Sequence, residues 1–283
     1  MIQRIDVPVA MRDGVKLSTD VRYPETGGPF PAILIRTPYG NSNFSAAEAA
    51  FLRDGYATVK QDCRGRFDSE GRFSPMRDDA DGHDTIEWLC AQPWCDGRVG
   101  MTGGSYSGYT QLSAAWTRPP GLKAITPSVM GRDLFKDAIY HNGVLNLSLA
   151  IAWGAGVAGR TGQANETTDW DKVFRHLPLN TMDEAAGYDL DYFKTWIEHS
   201  TYDDLWRSLS VEEHFADFDV PAFHLGGWYD VYAEGVLRDY MGIRDHGGPN
   251  ARLAQKVLIG PWVHGINQRI VGQLDFGENA VTG

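Results

Sequence analysis

A chain of 283 residues and 31.4 kDa is long enough to bury a substantial core, as one large domain or as one domain with an insertion. Apolar residues at 42% and charged residues at 22% are those of an ordinary globule. A formal charge of −11 argues against nucleic-acid or anionic-membrane binding, because an acidic surface attracts neither polyanion.

The N-terminal MIQRIDVPVAMRDG lacks the apolar centre of a signal peptide, and no later run approaches the ~20 apolar residues of a membrane span, so a cytoplasmic location is expected. Residues 1–30 read as a β-hairpin, with Asp13-Gly14 supplying the turn. PAILIRTPYG (31–40) carries the short continuous apolar run of a strand buried on both faces. SAAEAAFLRDG (45–55) reads as a helix with Ser45 as N-cap, Glu48 three residues on and Gly55 as the stop. YATVKQDCRG is the next strand, 78–93 a helix ended by Pro93, and GRVGMTGGS (97–105) a strand running into a Gly-Gly turn. SGYTQLSAAWTRP is helical again, and LKAITPSV again a strand. This alternation predicts a mainly parallel sheet flanked by helices. From 131 to 219 the pattern changes to helical segments rich in Trp and Tyr: LNLSLAIAWGAGVAG, DLDYFKTWIEHS and TYDDLWRSL. Strand-like runs return at 220–230 and 256–262. Three parts are therefore expected: a first core portion at 1–130, a helical insertion at 131–219 and a second core portion at 220–283.

Gly103-Gly104-Ser105-Tyr106-Ser107-Gly108 lies where a predicted strand meets a predicted helix. A nucleophilic serine at such an elbow needs small neighbours, because the turn is tight and the side chain must project clear of the backbone. The pattern G-x-S-x-G is not met literally: Ser107 takes the second flank and the glycine falls at Gly108. The plain alternative is a Gly-Ser loop turn, and the strand–turn–helix setting argues against it. A serine hydroxyl needs a histidine to take its proton and an acid to orient that histidine. In an α/β-hydrolase these follow in the order Ser, acid, His, after later strands. Asp230 ends FHLGGWYD and His264 follows VLIGPW, both just past strand C-termini. Asp239 and Asp245 remain rival acids, one within a helical run and one in a turn. The Tyr106 N–H supplies one oxyanion donor. Tyr39, in RTPYGNSN, is the polar candidate for the second, against the alternative of a turn tyrosine.

RTPYG, GYATVKQDCRGRFDSEGRF, DTIEWLCAQPWCDGRVGMTGGSYSGYTQ, GGWYD and IGPWVHG resemble the cocaine esterase / X-Pro dipeptidyl-peptidase family of serine hydrolases, which also contains α-amino-acid ester hydrolases and glutaryl-cephalosporin acylases. The likeness runs from about residue 3 to residue 278. It implies an α/β-hydrolase fold with Ser105 as nucleophile, Asp230 as acid and His264 as base. It also implies an oxyanion hole of the Tyr39 hydroxyl and the Tyr106 N–H, and a helical cap over the acyl pocket. Phe135, Tyr140 and Trp153 in the cap are candidate substrate-binding residues, with buried core aromatics as the alternative, and Trp228 in the W-Y-D block is a further candidate. Family members continue with a last helix and a C-terminal jelly roll. This chain stops at DFGENAVTG, so it is expected to lack the jelly roll, to be a fragment, and to self-associate through the surface left bare.

Acyl transfer through serine needs no cofactor. Cys63, Cys90, Cys95 and the eight scattered histidines show no metal-site spacing, so no metal is expected. The expected partner is a small ester or amide. An X-Pro dipeptidyl-peptidase must neutralise a substrate ammonium; no acid follows Ser105 directly, and Asp133 or Asp137 in the insertion could serve instead. A β-lactam acylase and a non-catalytic interaction module are the further alternatives.

Overall fold

The computed structural model describes residues 1–131, 133–163 and 167–281, and its chain opens on an antiparallel hairpin of β1 (Ile2–Ala10) and β2 (Lys16–Tyr23). There follow β3 (Phe30–Thr37), β4 (Ala57–Asp62), β5 (Cys95–Gly104), β6 (Leu122–Ser128), β7 (Ala222–Gly227) and β8 (Gln255–Gly260). The sheet order is β1-β2-β4-β3-β5-β6-β7-β8, with β1–β2 and β2–β4 antiparallel and every later pair parallel. The apolar runs lie where the sheet is covered: Ala32 and Leu34 of β3 and Val59 of β4 are buried. The edge strand β1 is mostly exposed and is interrupted by a bulge between Arg4 and Val7, which weakens it as a template for further pairing.

Crossover helices start and stop on local signals. In α1 (Ala46–Arg53) the Ser45 hydroxyl accepts the Glu48 N–H at 3.2 Å while the Glu48 carboxylate accepts the Ser45 N–H at 2.9 Å. α2 (Asp79–Cys90) ends three residues before Pro93, because Ala91 already closes it, its N–H bonding Glu87 O at 3.1 Å. Pro93 lies instead in the turn that starts β5 two residues earlier than its sequence suggests. α3 (Tyr106–Trp116) is buried on nearly every side and carries no charge, as a helix wedged between sheet and α2 must be.

Between β6 and β7 the chain is helical but more broken than expected. Of LNLSLAIAWGAGVAG only residues 147–156 are helical, with a π-helical turn over Leu149–Trp153. A second π-turn covers Leu134–Ile139, α4 covers Asp191–Glu198, and TYDDLWRSL reduces to one turn at Asp204–Arg207. Glycines at 154, 156 and 159 weaken helix propensity there, and ring packing holds the region together. Phe135 lies 4.9 Å from the Tyr140 ring and 5.2 Å from that of Trp206. After β7 comes α5 (Ala233–His246), which buries Asp239. Among the described residues no helix is long and apolar enough to cross a membrane.

Asp62, at the end of β4, is buried, and that burial, with the negative charges of Asp68, Asp20 and Asp6, pushes its carboxyl up to about 7. An unfolded Asp titrates near ~3.9. The folded chain therefore holds the extra proton between these values, and this group's contribution to stability is lost as pH rises through that window. Asp62→Asn should raise the urea-unfolding free energy at pH 8, with the advantage shrinking as pH falls to 5. An equal gain at both pH values would contradict this.

Candidate active site

Ser105 joins β5 to α3 at φ +57°, ψ −126°, a region that costs a non-glycine residue roughly 1–3 kcal/mol. Its own N–H is held by Ser128 O at 2.9 Å, so β6 fixes the turn from beside it. The small flanks have a direct cause. A Cβ at Gly103, where φ is +139°, would lie 2.6 Å from the Cβ of Ser107. The two flanks share one space, and a glycine at the first leaves room for serine at the second.

The other two strand ends meet by a close backbone approach. A Cβ on Gly227 would sit 2.1 Å from Trp262 O. The loop after β7 therefore runs beside the loop after β8, Trp228 N–H bonding Gly260 O and Tyr229 N–H bonding Trp262 O, each at 2.9 Å. The structure brings the three nominated side chains together. His264 Nδ1 lies 3.0 Å from Asp230 Oδ1, and His264 Nε2 lies 2.9 Å from Ser105 Oγ. The Asp230 carboxylate is fully buried while the imidazole is partly exposed. An ionised carboxylate can only accept, so Nδ1 carries the proton and Nε2 is left as the acceptor facing the hydroxyl. The rival acids lie elsewhere: Asp239 is buried within α5, and Asp245 pairs with Arg244 at 2.7 Å.

The Tyr106 N–H opens α3, where first-turn amides have no partner inside the helix. Its side chain anchors that turn: the hydroxyl donates to Asp78 Oδ2 at 2.6 Å and accepts the Met76 N–H at 2.9 Å. Asp78 in turn pairs with the buried Arg36 at 3.4 Å. Tyr39 is 48% exposed as a whole, yet its hydroxyl is enclosed. Burial there pushes the phenol above its ordinary value, while hydrogen bonds with Trp153 and Ser105 act the other way, so it stays protonated at neutral pH. Trp153 Nε1–H donates to the Tyr39 oxygen at 3.1 Å.

Ser105, His264 and Tyr39 open on a cavity of about 250 Å³. Met130, Leu134, Ala138, Ile139 and Leu149 form apolar walls, and Trp153 also lines it. Three of the other candidates lie outside it. Phe135 and Tyr140 do not line the cavity: they stack on each other, and the Tyr140 hydroxyl donates to Trp196 O at 3.0 Å, so both belong to the core of the helical run. Trp228 is 61% exposed and also lies outside the lining. Sequence reasoning missed Tyr232, a lining residue whose ring centroid is 5.5 Å from that of His264. Its position two residues after Asp230 was an available signal. Among the described residues no carboxylate lines the cavity. Asp133 is spent on the Phe135 and Lys136 N–H groups and the Ser210 hydroxyl, and Asp137 is buried, accepting the Asp133 N–H at 3.2 Å. Among the described residues no group of three or more His, Cys, Asp and Glu side chains could hold a metal ion.

Residues 13–266 match the model of the X-Pro dipeptidyl-peptidase (S15) family. The cocaine esterase of Rhodococcus sp. (strain MB1 Bresler) is 37% identical over 283 aligned positions, which span 92% of this chain and 48% of that protein. An aminopeptidase from a marine sediment Thaumarchaeota archaeon superposes with a TM-score of 0.82 at 26% identity, over 97% of this chain and 51% of that one. An α-amino-acid ester hydrolase superposes with a TM-score of 0.77 at 27% identity, over 93% and 48%. The fold is the α/β-hydrolase fold, and the chain spans about half the length of these relatives.

Gly103→Ala should cost about 1–3 kcal/mol in unfolding free energy, from the positive φ and the clash with Ser107. Ser107→Gly in the same chain should recover part of it, because it removes the clash and leaves the φ strain. Denaturant titration checks both, and a neutral Gly103→Ala would show that the elbow is not tight.

Proposed function

The chain belongs to the X-Pro dipeptidyl-peptidase (S15) family, and from that premise we propose that it hydrolyses carboxylic esters through an acyl-enzyme on Ser105. The observation that carries this reading is the two-sided bonding of His264, at 2.9 Å to Ser105 Oγ and 3.0 Å to Asp230. In this reading Ser105 Oγ attacks the ester carbonyl carbon while His264 Nε2 takes its proton. Asp230 holds the Nδ1–H and stabilises the imidazolium that forms. The carbonyl oxygen becomes an oxyanion between the Tyr106 N–H and the Tyr39 hydroxyl. Collapse expels the alkoxide, which leaves with the proton from Nε2. Water then repeats the sequence on the acyl-enzyme and releases the carboxylic acid.

Charge in the cavity separates ester from peptide. Among the described lining residues a substrate with a free ammonium would find no carboxylate, and burying that cation is costly in an apolar site. An uncharged acyl group of modest size suits about 250 Å³ of apolar wall, most of it supplied by the helical run between β6 and β7. That run therefore acts as the cap of the acyl pocket, and the X-Pro peptidase and β-lactam acylase alternatives are disfavoured. One of its structural neighbours is an α-amino-acid ester hydrolase, and that substrate class is not carried over here.

A fluorophosphonate probe should label Ser105, and Ser105→Ala should abolish the labelling; folded chain that takes no label would refute the nucleophile. Asp230→Asn should lower kcat by about 10⁴-fold by fixing the wrong histidine tautomer. A loss under about tenfold would transfer the role to another acid.

A further inference from the structure

Arg66 follows β4 and is fully buried, yet among the described residues no carboxylate lies within ion-pair distance of its guanidinium. Its hydrogen bonds go to backbone carbonyls of two separate segments. Nε donates to Pro38 O at 2.9 Å, and Nη1 donates to Val157 O at 2.6 Å and Gly159 O at 2.5 Å. Pro38 directly precedes Tyr39. Val157 closes the helical turn that carries Trp153, its N–H bonding Trp153 O at 3.1 Å. One planar side chain thus spans from the base of the Tyr39 loop to the base of the Trp153 turn. The rings of Phe73 and Phe67 pack over it, at 5.2 and 5.5 Å from Cζ. Arg160 fastens the same junction, donating to Phe67 O at 2.7 Å and Ser69 O at 2.6 Å, while its own carbonyl accepts the Phe67 N–H at 2.6 Å.

We propose that Arg66 is a positioning residue for Tyr39, holding the Tyr39 loop and the Trp153 turn in one register so that the oxyanion donor is aimed. The proposal rests on the reading of Tyr39 as an oxyanion donor. A phenolic hydrogen rotates freely unless a donor occupies one side of the oxygen. The Trp153 N–H, at 3.1 Å, occupies that side and so confines the Tyr39 hydrogen to the other. A shift of either segment breaks this relay, and aimed donors are where most oxyanion stabilisation resides. Filling space does not explain the residue: a buried cation with only carbonyl partners is costly where leucine or methionine would pack. Lysine has no rigid fork, so it cannot reach both segments at once.

The test is a double-mutant cycle on the full chain with a p-nitrophenyl ester, combining Arg66→Met, Arg66→Lys and Trp153→Phe each with Tyr39→Phe. Tyr39→Phe alone should lower kcat by about 10²-fold. Each of the other three alone should lower kcat by roughly tenfold, Arg66→Met and Arg66→Lys with KM within about twofold. On the Tyr39→Phe background each should change kcat by less than about twofold, because the group it aims is gone. Losses that multiply in full, or Arg66 variants with undiminished kcat, overturn the positioning role while leaving Tyr39 as donor. If Tyr39→Phe alone keeps full kcat, the donor reading itself fails and the positioning role falls with it. Where Arg66→Met does not fold, Arg66→Lys and Trp153→Phe decide by the same criterion.

Discussion

A single imidazole, bonded through one nitrogen to a buried carboxylate and through the other to a strained serine, ties together three strand ends of this molecule. Ser105 stands at the C-terminal end of β5, Asp230 beyond β7 and His264 beyond β8. Parallel strands deliver such ends to one edge of the sheet, where loops can meet. The sheet alone does not make them meet. The close run of the β7 and β8 loops, which leaves no room for a side chain at Gly227, sets the acid beside the base. The positive φ of Ser105, held by the bond from its N–H to Ser128 O, turns the hydroxyl toward them. The strain is offset by burial and bonding all around the elbow, down to the Tyr106–Asp78–Arg36 chain beneath it.

The helical run between β6 and β7 adds selectivity to that frame. Leu134, Ala138 and Ile139 come from one π-turn, and Leu149 and Trp153 from the other. A π-turn widens the helix and re-aims side chains, and both of these border the cavity. From this run the indole N–H of Trp153 reaches the polar side of the cavity, where it is directed at the Tyr39 oxygen. Chemistry from the core and apolar shape from the helical run meet in that contact.

Much of this arrangement could be read in the residues. The β3 run is continuous and apolar because that strand is covered on both faces, and Ser45 with Glu48 announces α1 by a reciprocal bond that needs no tertiary partner. Ser105, Asp230 and His264 stand out because chain order and strand ends narrow the candidates. The helical run was less legible. Its glycines and aromatics suggest long helices, but its pieces are short and depend on ring contacts between distant residues such as Phe135 and Trp206. Phe135 and Tyr140 therefore looked like pocket residues when they are core, and Trp228 looked engaged when it faces outward. Tyr232 was marked only by its place two residues after Asp230, and nothing local marks Arg66, whose carbonyl partners at Val157 and Gly159 lie more than 90 residues away.

The most direct test of this geometry is a crystal structure of the chain with an aryl boronic acid, which forms a tetrahedral adduct with an activated serine. A covalent bond from Ser105 Oγ to boron is expected. One boronate oxygen should lie ~2.7–3.1 Å from both the Tyr106 N–H nitrogen and the Tyr39 hydroxyl, with His264 Nε2 still in contact. An unreacted serine, or an adduct whose oxygens face away from both donors, would contradict it.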